Sequence, residues 1–351
     1  MGNLYKYNLI NYEPKSSDIG VVIIAFNRKY YIKGAIDSVL NQKVDKLTFT
    51  ITVVKNFLDD DIDEYVKKNH INNIYTDDSS LGYKILLGVI FTNAPIICFL
   101  EDDDLFVENK IKIVYNKFKE NENLVYYHNS MIPINDENKL LTRWYKQENG
   151  ILIGNQESEL KIIKRLIRFG GHNLSSINVS RDIILRNSKM FLNSTYNLDY
   201  ATLLLAFGYG GLILSDSDKL TYYRSHNSAI HINDVNYESF IDRNCDGHKG
   251  AFITLSNLRE FIGVKNLHLE KIYQSMLSEN SIYQSFYCDL PSSVSIIDYI
   301  FLFRYRLDIK NYLIHFVILL LCKYKRFSKI KQKLLEYYYK NYLVLQNRRL
   351  I

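Results

Sequence analysis

The run Gly20-Val21-Val22-Ile23-Ile24-Ala25-Phe26 restricts the fold of this chain more than any other segment. It has no polar side chain, so it cannot alternate between a core face and a water face. It reads as a strand buried on both sides. Such strands belong to parallel sheets covered by helices on both faces. The next residues agree. Ile32, Ala35, Ile36, Val39 and Leu40 fall on one apolar stripe of a helix. The pattern then repeats. Further strands are expected at 48–54, 73–75 and 94–100, and further helices at 60–69, around Ile85, Leu86, Val89 and Ile90, and at 107–119. The first ~125 residues therefore predict a doubly wound α/β arrangement. Its working loops should follow the strand ends near Asn27, Lys55, Asp77 and Glu101.

The fourth of these strands ends in Phe99-Leu100-Glu101-Asp102-Asp103-Asp104. Consecutive carboxylates repel one another and persist more easily with a cation among them. Hard oxygen ligands at this spacing suit Mg²⁺ or Mn²⁺, held jointly with a substrate's phosphates. A solvated acidic turn would have the same sequence. Glu101-x-Asp103 and Asp102-x-Asp104 both satisfy the spacing, and alternation along a strand lets only one pair face a site.

Three segments carry a resemblance. They are Val22-Ile23-Ile24-Ala25-Phe26-Asn27-Arg28, then Ala35-Ile36-Asp37-Ser38-Val39-Leu40-Asn41-Gln42, then the acidic segment after Phe99-Leu100. In this order they resemble family 2 glycosyltransferases, inverting enzymes of the GT-A fold. The resemblance is good over residues 19–127 and loose over 170–226. It implies a nucleotide-sugar donor lying over the end of the first strand, against Ala25, Phe26, Asn27 and Arg28. It implies a metal on Asp103, assisted by Glu101 and by Asp102 or Asp104. Where the family commonly carries an acidic pair to hold the base, this chain has Lys55-Asn56. The Asn56 amide can still bond a base edge, because it both donates and accepts. In Leu81-Gly82-Tyr83-Lys84-Ile85-Leu86-Leu87-Gly88 the glycines match and the usual Arg-Asn pair is absent. Lys84 then stands as a cation toward the diphosphate, or as a surface lysine. Asp199, opening a helix, matches the place of the general base, with helix capping as its alternative role and Asp182 in reserve. Arg224 and His226 fall in a segment that closes on the diphosphate, as bidentate and single donors. His172 could line an acceptor cleft.

The expected fold class is α/β: a GT-A type, doubly wound, Rossmann-like mixed sheet with a mainly helical C-terminal extension. Residues 1–235 would form the catalytic domain, split at 125 into a donor-binding half and an acceptor-side half, with helices over 236–351. Between 312 and 322 the chain is strongly apolar, yet too short to span a bilayer, which takes about 20 residues. From Lys323 to Arg349 there are nine Lys and Arg and one acid, Glu336. Two placements stay open: a buried bundle, or helices lying at the inner face of a membrane. The four Cys (98, 245, 288, 322) show no paired spacing, so no disulfide framework is expected and a reducing cytoplasmic setting fits. Residues 1–15 hold no apolar signal core, and no nucleic-acid partner is expected.

The function expected is transfer of a sugar from a nucleotide-sugar donor to a glycan or lipid-linked acceptor, with Mg²⁺ or Mn²⁺. A sugar-nucleotide nucleotidyltransferase would want a glycine-rich loop after the first strand, and residues 25–29 contain no glycine. A non-catalytic, membrane-associated nucleotide- or glycan-binding protein is the alternative from another class.

Overall fold

A computed structural model describes residues 7–141, 150–192, 194–225, 236–262, 266–290, 292–307 and 312–349. The chain divides into two compact units. The first runs to Ser225 and takes back Leu258–Lys265; the second holds the remainder.

The first unit opens with β1 (Tyr7–Asn11), β2 (Ile19–Ala25), α1 (Lys29–Leu40), β3 (Phe49–Lys55), α2 (Asp60–Lys68), β4 (Asn72–Thr76), α3 (Leu81–Ile90) and β5 (Ile96–Glu101). After the acidic turn come β6 (Leu105–Phe106), α4 (Lys110–Glu120), β7 (Leu124–Ile134), β8 (Leu152–Gly154) and α5 (Leu160–Gly170). Then follow β9 (Ile177–Ser180), α6 (Arg181–Arg186), α7 (Ser188–Leu192), α8 (Leu198–Tyr209) and β10 (Leu212–Arg224). All strands share one sheet, ordered β1-β4-β3-β2-β5-β9-β7-β10-β6, with β8 on β10. The β4-β3-β2-β5 block is parallel. β9 runs antiparallel between β5 and β7, and β10 lies parallel to β7 and antiparallel to β6. This is the mixed, doubly wound α/β sheet that the alternation predicts.

β2 sits inside the parallel block, and all of its residues are buried. α1 buries Ile32, Ala35, Ile36 and Val39, the stripe read from the sequence. These side chains join Ile51, Val53, Cys98 and Leu100 in the main core. Burial contributes roughly 1.5–3 kcal/mol per large apolar side chain. It therefore holds the strand ends, where the loops emerge, in fixed positions. α3 packs directly on β2: a Cβ at Gly88 would lie 2.2 Å from a Val22 methyl. That approach explains the glycine.

Three features of the sheet leave no pattern in the sequence. β10 is one continuous strand of 13 residues. Its register shifts between Ser215 and Lys219, and there buried Asp216 bonds Lys117 at 2.6 Å and the Tyr127 hydroxyl at 3.0 Å. Residues 174–179 divide into a 3₁₀ turn, Leu174–Ser176, and β9. β1 was not legible because its side chains are largely exposed.

The second unit holds α9 (Tyr237–Leu258), α10 (Leu267–Tyr287), α11 (Ile296–Phe301), α12 (Tyr312–Lys323) and α13 (Ser328–Arg349). It has its own core, with Phe240, Ile282, Phe286, Tyr299, Ile318 and Leu319. No helix among the described residues is long and apolar enough to cross a membrane. α9 and α10 run side by side, with the Tyr273 hydroxyl donating to the Leu255 carbonyl at 2.6 Å and His248 stacked 4.9 Å from Tyr283. The same packing brings Cys245 and Cys288, 43 residues apart, to a Cα separation of 5.0 Å in a disulfide. This overturns the reading that the cysteines stay unpaired, and with it their argument for a reducing setting. Spacing in sequence could not show a pair made by helix packing. In denaturant, a thiol reagent should titrate two sulfhydryls per chain, Cys98 and Cys322, and four after reduction. Opening a loop of this length should lower stability by about 4 kcal/mol in the chain-entropy treatment.

Candidate active site

The site forms where the ends of β2, β5 and β10 converge. Its frame is the acidic turn, held from two sides. The Asp102 N–H bonds the Ile24 carbonyl at 3.1 Å, and Asp102 Oδ2 accepts the Phe26 N–H at 3.0 Å. Asp102 thus ties the end of β5 to the turn after β2. Asp104 Oδ1 accepts the Arg224 N–H at 2.9 Å, tying the same turn to the end of β10. Loss of solvation pushes Asp102 up to about 7, opposed by Arg28, and pushes Asp104 up to about 8, reinforced by the charge on Asp103. Glu101 is raised well above the carboxylate range by burial and by the charges of Asp103 and Asp104. Asp102 and Asp104 are thus anchored on backbone N–H groups, while the Asp103 carboxylate meets Arg28.

Arg28 lies among these acids. Its Nη2 meets Asp102 and its Nη1 meets Asp103, each at 2.5 Å. It is the cation that the cluster's mutual repulsion calls for, and it points to the acids rather than to a base or ribose. Among the described residues, no three His, Cys, Asp or Glu side chains are grouped to hold a metal. The described residues thus supply no closed cage. Two hard carboxylates beside a substrate's phosphates are nonetheless a donor set that Mg²⁺ or Mn²⁺ accepts.

On the donor side, Ala25 is the buried end of β2. Asn27 has φ 58°, a left-handed conformation that Asn tolerates. Its N–H donates to Asn56 Oδ1 at 2.9 Å, and Asn56 Nδ2 returns a bond to Asn27 Oδ1 at 3.0 Å. Asn56 therefore closes the β2 turn, with its carbonyl and one amide hydrogen engaged there. Phe26 is 45% exposed, so it is not a core residue. Its ring covers the Lys84 ammonium, 4.9 Å from the centroid. Lys84 is not a surface lysine: it is buried, donates to the Asp78 carbonyl, and burial pushes it down to about 8. Lys55 has a different task from the one expected. It is fully buried against Asp63 of α2 at 2.8 Å and the Phe57 carbonyl at 2.7 Å.

Arg224 also departs from expectation. It donates Nε to the Asp103 carbonyl at 2.7 Å, Nη1 to the Asn135 and Asp136 carbonyls at 2.8 and 3.0 Å, and Nη2 to Asn138 at 2.6 Å. Only one of its guanidinium N–H groups remains. A bidentate grip on phosphate is thus replaced by a clamp on the acidic turn. Arg224→Ala should cost about 3 kcal/mol or more, read as a lowered urea midpoint, because buried carbonyls lose their donors. His226 lies outside the described residues.

Asp199 sits in the first turn of α8. The capping position belongs to Asn197, which makes no side-chain cap bond. Burial pushes Asp199 up to about 6, against backbone N–H donors from Tyr200, its own residue and Asn173. The turn starting at Asn173 links Asp199 to the acidic turn, because Ser175 Oγ, two residues on, accepts the Glu101 N–H at 2.9 Å. Asp182 is held by Arg186 at 2.6 Å and by the Tyr209 hydroxyl at 2.7 Å. The His172 carbonyl lies 2.9 Å from His128 Nε2, and burial lowers the His172 pKa.

Four residues to which the sequence reading gave no individual role support the site. Ser38 Oγ accepts the Phe106 N–H at 3.0 Å, while Gln42 bonds the Val107 carbonyl at 2.8 Å and the Ile111 N–H at 2.9 Å. The Ser-Val-Leu-Asn-Gln segment thus fixes the chain leaving the acidic turn. Ser175 and Lys110 are the others: buried Lys110 donates to the Ser175 carbonyl at 2.6 Å and Thr221 Oγ1 at 3.0 Å. A lysine on a helix gives no hint in sequence that it is buried.

Residues 20–180 match the family described as Glycosyl transferase family 2. An uncharacterized glycosyltransferase of Rickettsia bellii is 29% identical over 131 residues, 36% of this chain and 19% of its own length. One of Rickettsia felis is 31% identical over 127 residues, 35% of this chain and 21% of its own. This chain thus spans about a fifth of the length of those relatives. In fold it is similar to the crystal structure of S. aureus TarS 1–349, with a TM-score of 0.54 at 13% identity over 94% of this chain and 90% of that one. The same segment in complex with UDP-GlcNAc gives 0.50 at 14% identity over 87% and 91%. Over residues 20–180, this chain is thus similar to glycosyltransferase family 2.

Proposed function

We propose that the first unit transfers a sugar from a nucleoside diphosphate sugar to an acceptor hydroxyl, with inversion. One observation carries this reading: a tied acidic turn at the carboxyl edge of the parallel strands, linked through the 173–175 turn to a buried carboxyl poised near 6. Ligands of open α/β sheets bind at this edge. The UDP-GlcNAc complex of the similar S. aureus protein supports a nucleotide-sugar donor.

Phe26 offers an exposed face to the base at the end of β2, and Lys84 beneath it supplies positive potential. Asp199 takes the proton from the acceptor hydroxyl. That oxygen bonds to the anomeric carbon on the face opposite the diphosphate as the carbon–phosphate oxygen bond breaks, and nucleoside diphosphate leaves. Mg²⁺ or Mn²⁺ on Asp103 and Glu101 would neutralise charge on the departing diphosphate. The acceptor would be a glycan or a lipid-linked sugar.

The test is product analysis with a panel of nucleotide sugars and Mn²⁺. Free nucleoside diphosphate is the expected product. Pyrophosphate would indicate nucleotidyl transfer instead, and donor binding without turnover of any donor and acceptor would indicate a binding protein.

A further inference from the structure

The second unit leaves large apolar side chains in water on two adjoining short helices. On α11, Ile297, Ile300 and Phe301 are exposed, Phe301 by 76%. On α12, Leu313, Ile314 and Val317 are exposed, Leu313 by 72%. Tyr299 and Phe303 pin the two helices together, with rings 4.9 and 4.5 Å from Tyr312. The opposite faces are already satisfied, because Tyr299, Ile318 and Leu319 lie in the core of the unit. The apolar segment thus does two things: one face builds the bundle and the other stays uncovered. Single exposed apolar residues need no explanation, but six on two helices pinned together do.

Cations mark both ends of this cluster. Arg304 follows the exposed end of α11, and Lys323 ends α12. Arg326 rests 5.6 Å from the ring of Tyr324, itself exposed beside α12. Lys329, Lys333 and Lys340 are exposed beyond them, against Asp298 and Glu336. At 12 residues α12 is about 18 Å long, well short of a bilayer core. It can lie along a membrane and cannot cross one.

We propose that the α11–α12 face docks on a bilayer bearing anionic headgroups. The apolar side chains enter the acyl boundary while Arg326, Lys329 and Lys333, exposed beyond α12, reach phosphate. Charge favours this occupant over a second copy of the chain, since a two-fold contact would set the same cations against one another. The inference stands apart from the transfer chemistry of the first unit.

The test is co-sedimentation of the full chain with phosphatidylcholine vesicles, with and without phosphatidylglycerol, at low and high salt. Binding only to the anionic vesicles, weakened by salt, is expected. A variant with Phe301→Ser, Leu313→Ser and Val317→Ser should lose about tenfold or more of that binding with an unchanged circular dichroism spectrum. Should it misfold, Arg326→Glu with Lys329→Glu must show the same loss. Wild-type binding equal to that of a folded variant would overturn the proposal. So would a wild type that ignores vesicles, whether monomeric or a dimer that the serine variant dissociates.

Discussion

Asp199→Asn should lower nucleotide-sugar turnover by about 10²–10⁴-fold, the range for loss of a general base, and leave donor affinity unchanged. Burial raises the carboxyl from its ordinary value to about 6. Turnover should therefore climb as pH rises through about 6, where the base becomes ionised. The same shift has a consequence for folding. The native carboxyl holds its proton up to about 6, whereas in the unfolded chain it loses it near its ordinary value of 3.8. Between those values the native state binds more protons, so stability falls as pH rises across the window. At pH 7 an ionised carboxylate sits in a poorly solvated place. The Asn variant should thus melt at a higher temperature than the wild type at pH 7, and the gap should close below pH 4. A variant that kept full activity would remove Asp199 from the chemistry, and a variant that melted lower at neutral pH would make it a structural residue.

Asp103→Asn should abolish the thermal shift that a nucleoside diphosphate gives with Mn²⁺, and reduce turnover by about 10²–10³-fold. In the wild type a ligand at ~100 times its dissociation constant should stabilise the fold by about 2.7 kcal/mol. Asp102→Asn is the informative contrast. Asp102 holds the Phe26 N–H and Arg28 from a buried position, so its loss should lower stability with or without ligand. If Asp103→Asn kept the Mn²⁺-dependent shift, the ion would have to be held elsewhere.

What was legible in the sequence follows from what leaves a pattern. β2 and α1 were readable because burial on two faces, or on one stripe, dictates residue type along a whole element. The acidic turn was readable because four carboxylates in a row are rare in a neutral surround. The tasks within the turn were not readable. Asp102 and Asp104 differ from Asp103 only in which backbone N–H groups reach them, and those come from residues 76 and 120 positions away. Arg224, Lys55 and Asn56 were read as ligand contacts because their side chains can bond phosphate or base. The fold gives their donors to carbonyls and carboxylates of the protein instead. The pairing of Cys245 with Cys288 was hidden in the same way, by contacts that no local pattern encodes.

The tie between Asp104 and the end of β10 also governs the order in which this molecule can be made. β5 and the acidic turn emerge early from a ribosome, but the strand that completes them comes 120 residues later. Until β10 inserts between β7 and β6, the turn lacks its Arg224 clamp and β7 presents an open edge. Contacts of such sequence separation form late and slow the folding of a domain. The interval is also when unpaired strand edges are most prone to aggregate. A nascent chain arrested before residue 212 should accordingly depend on chaperones far more than the finished one.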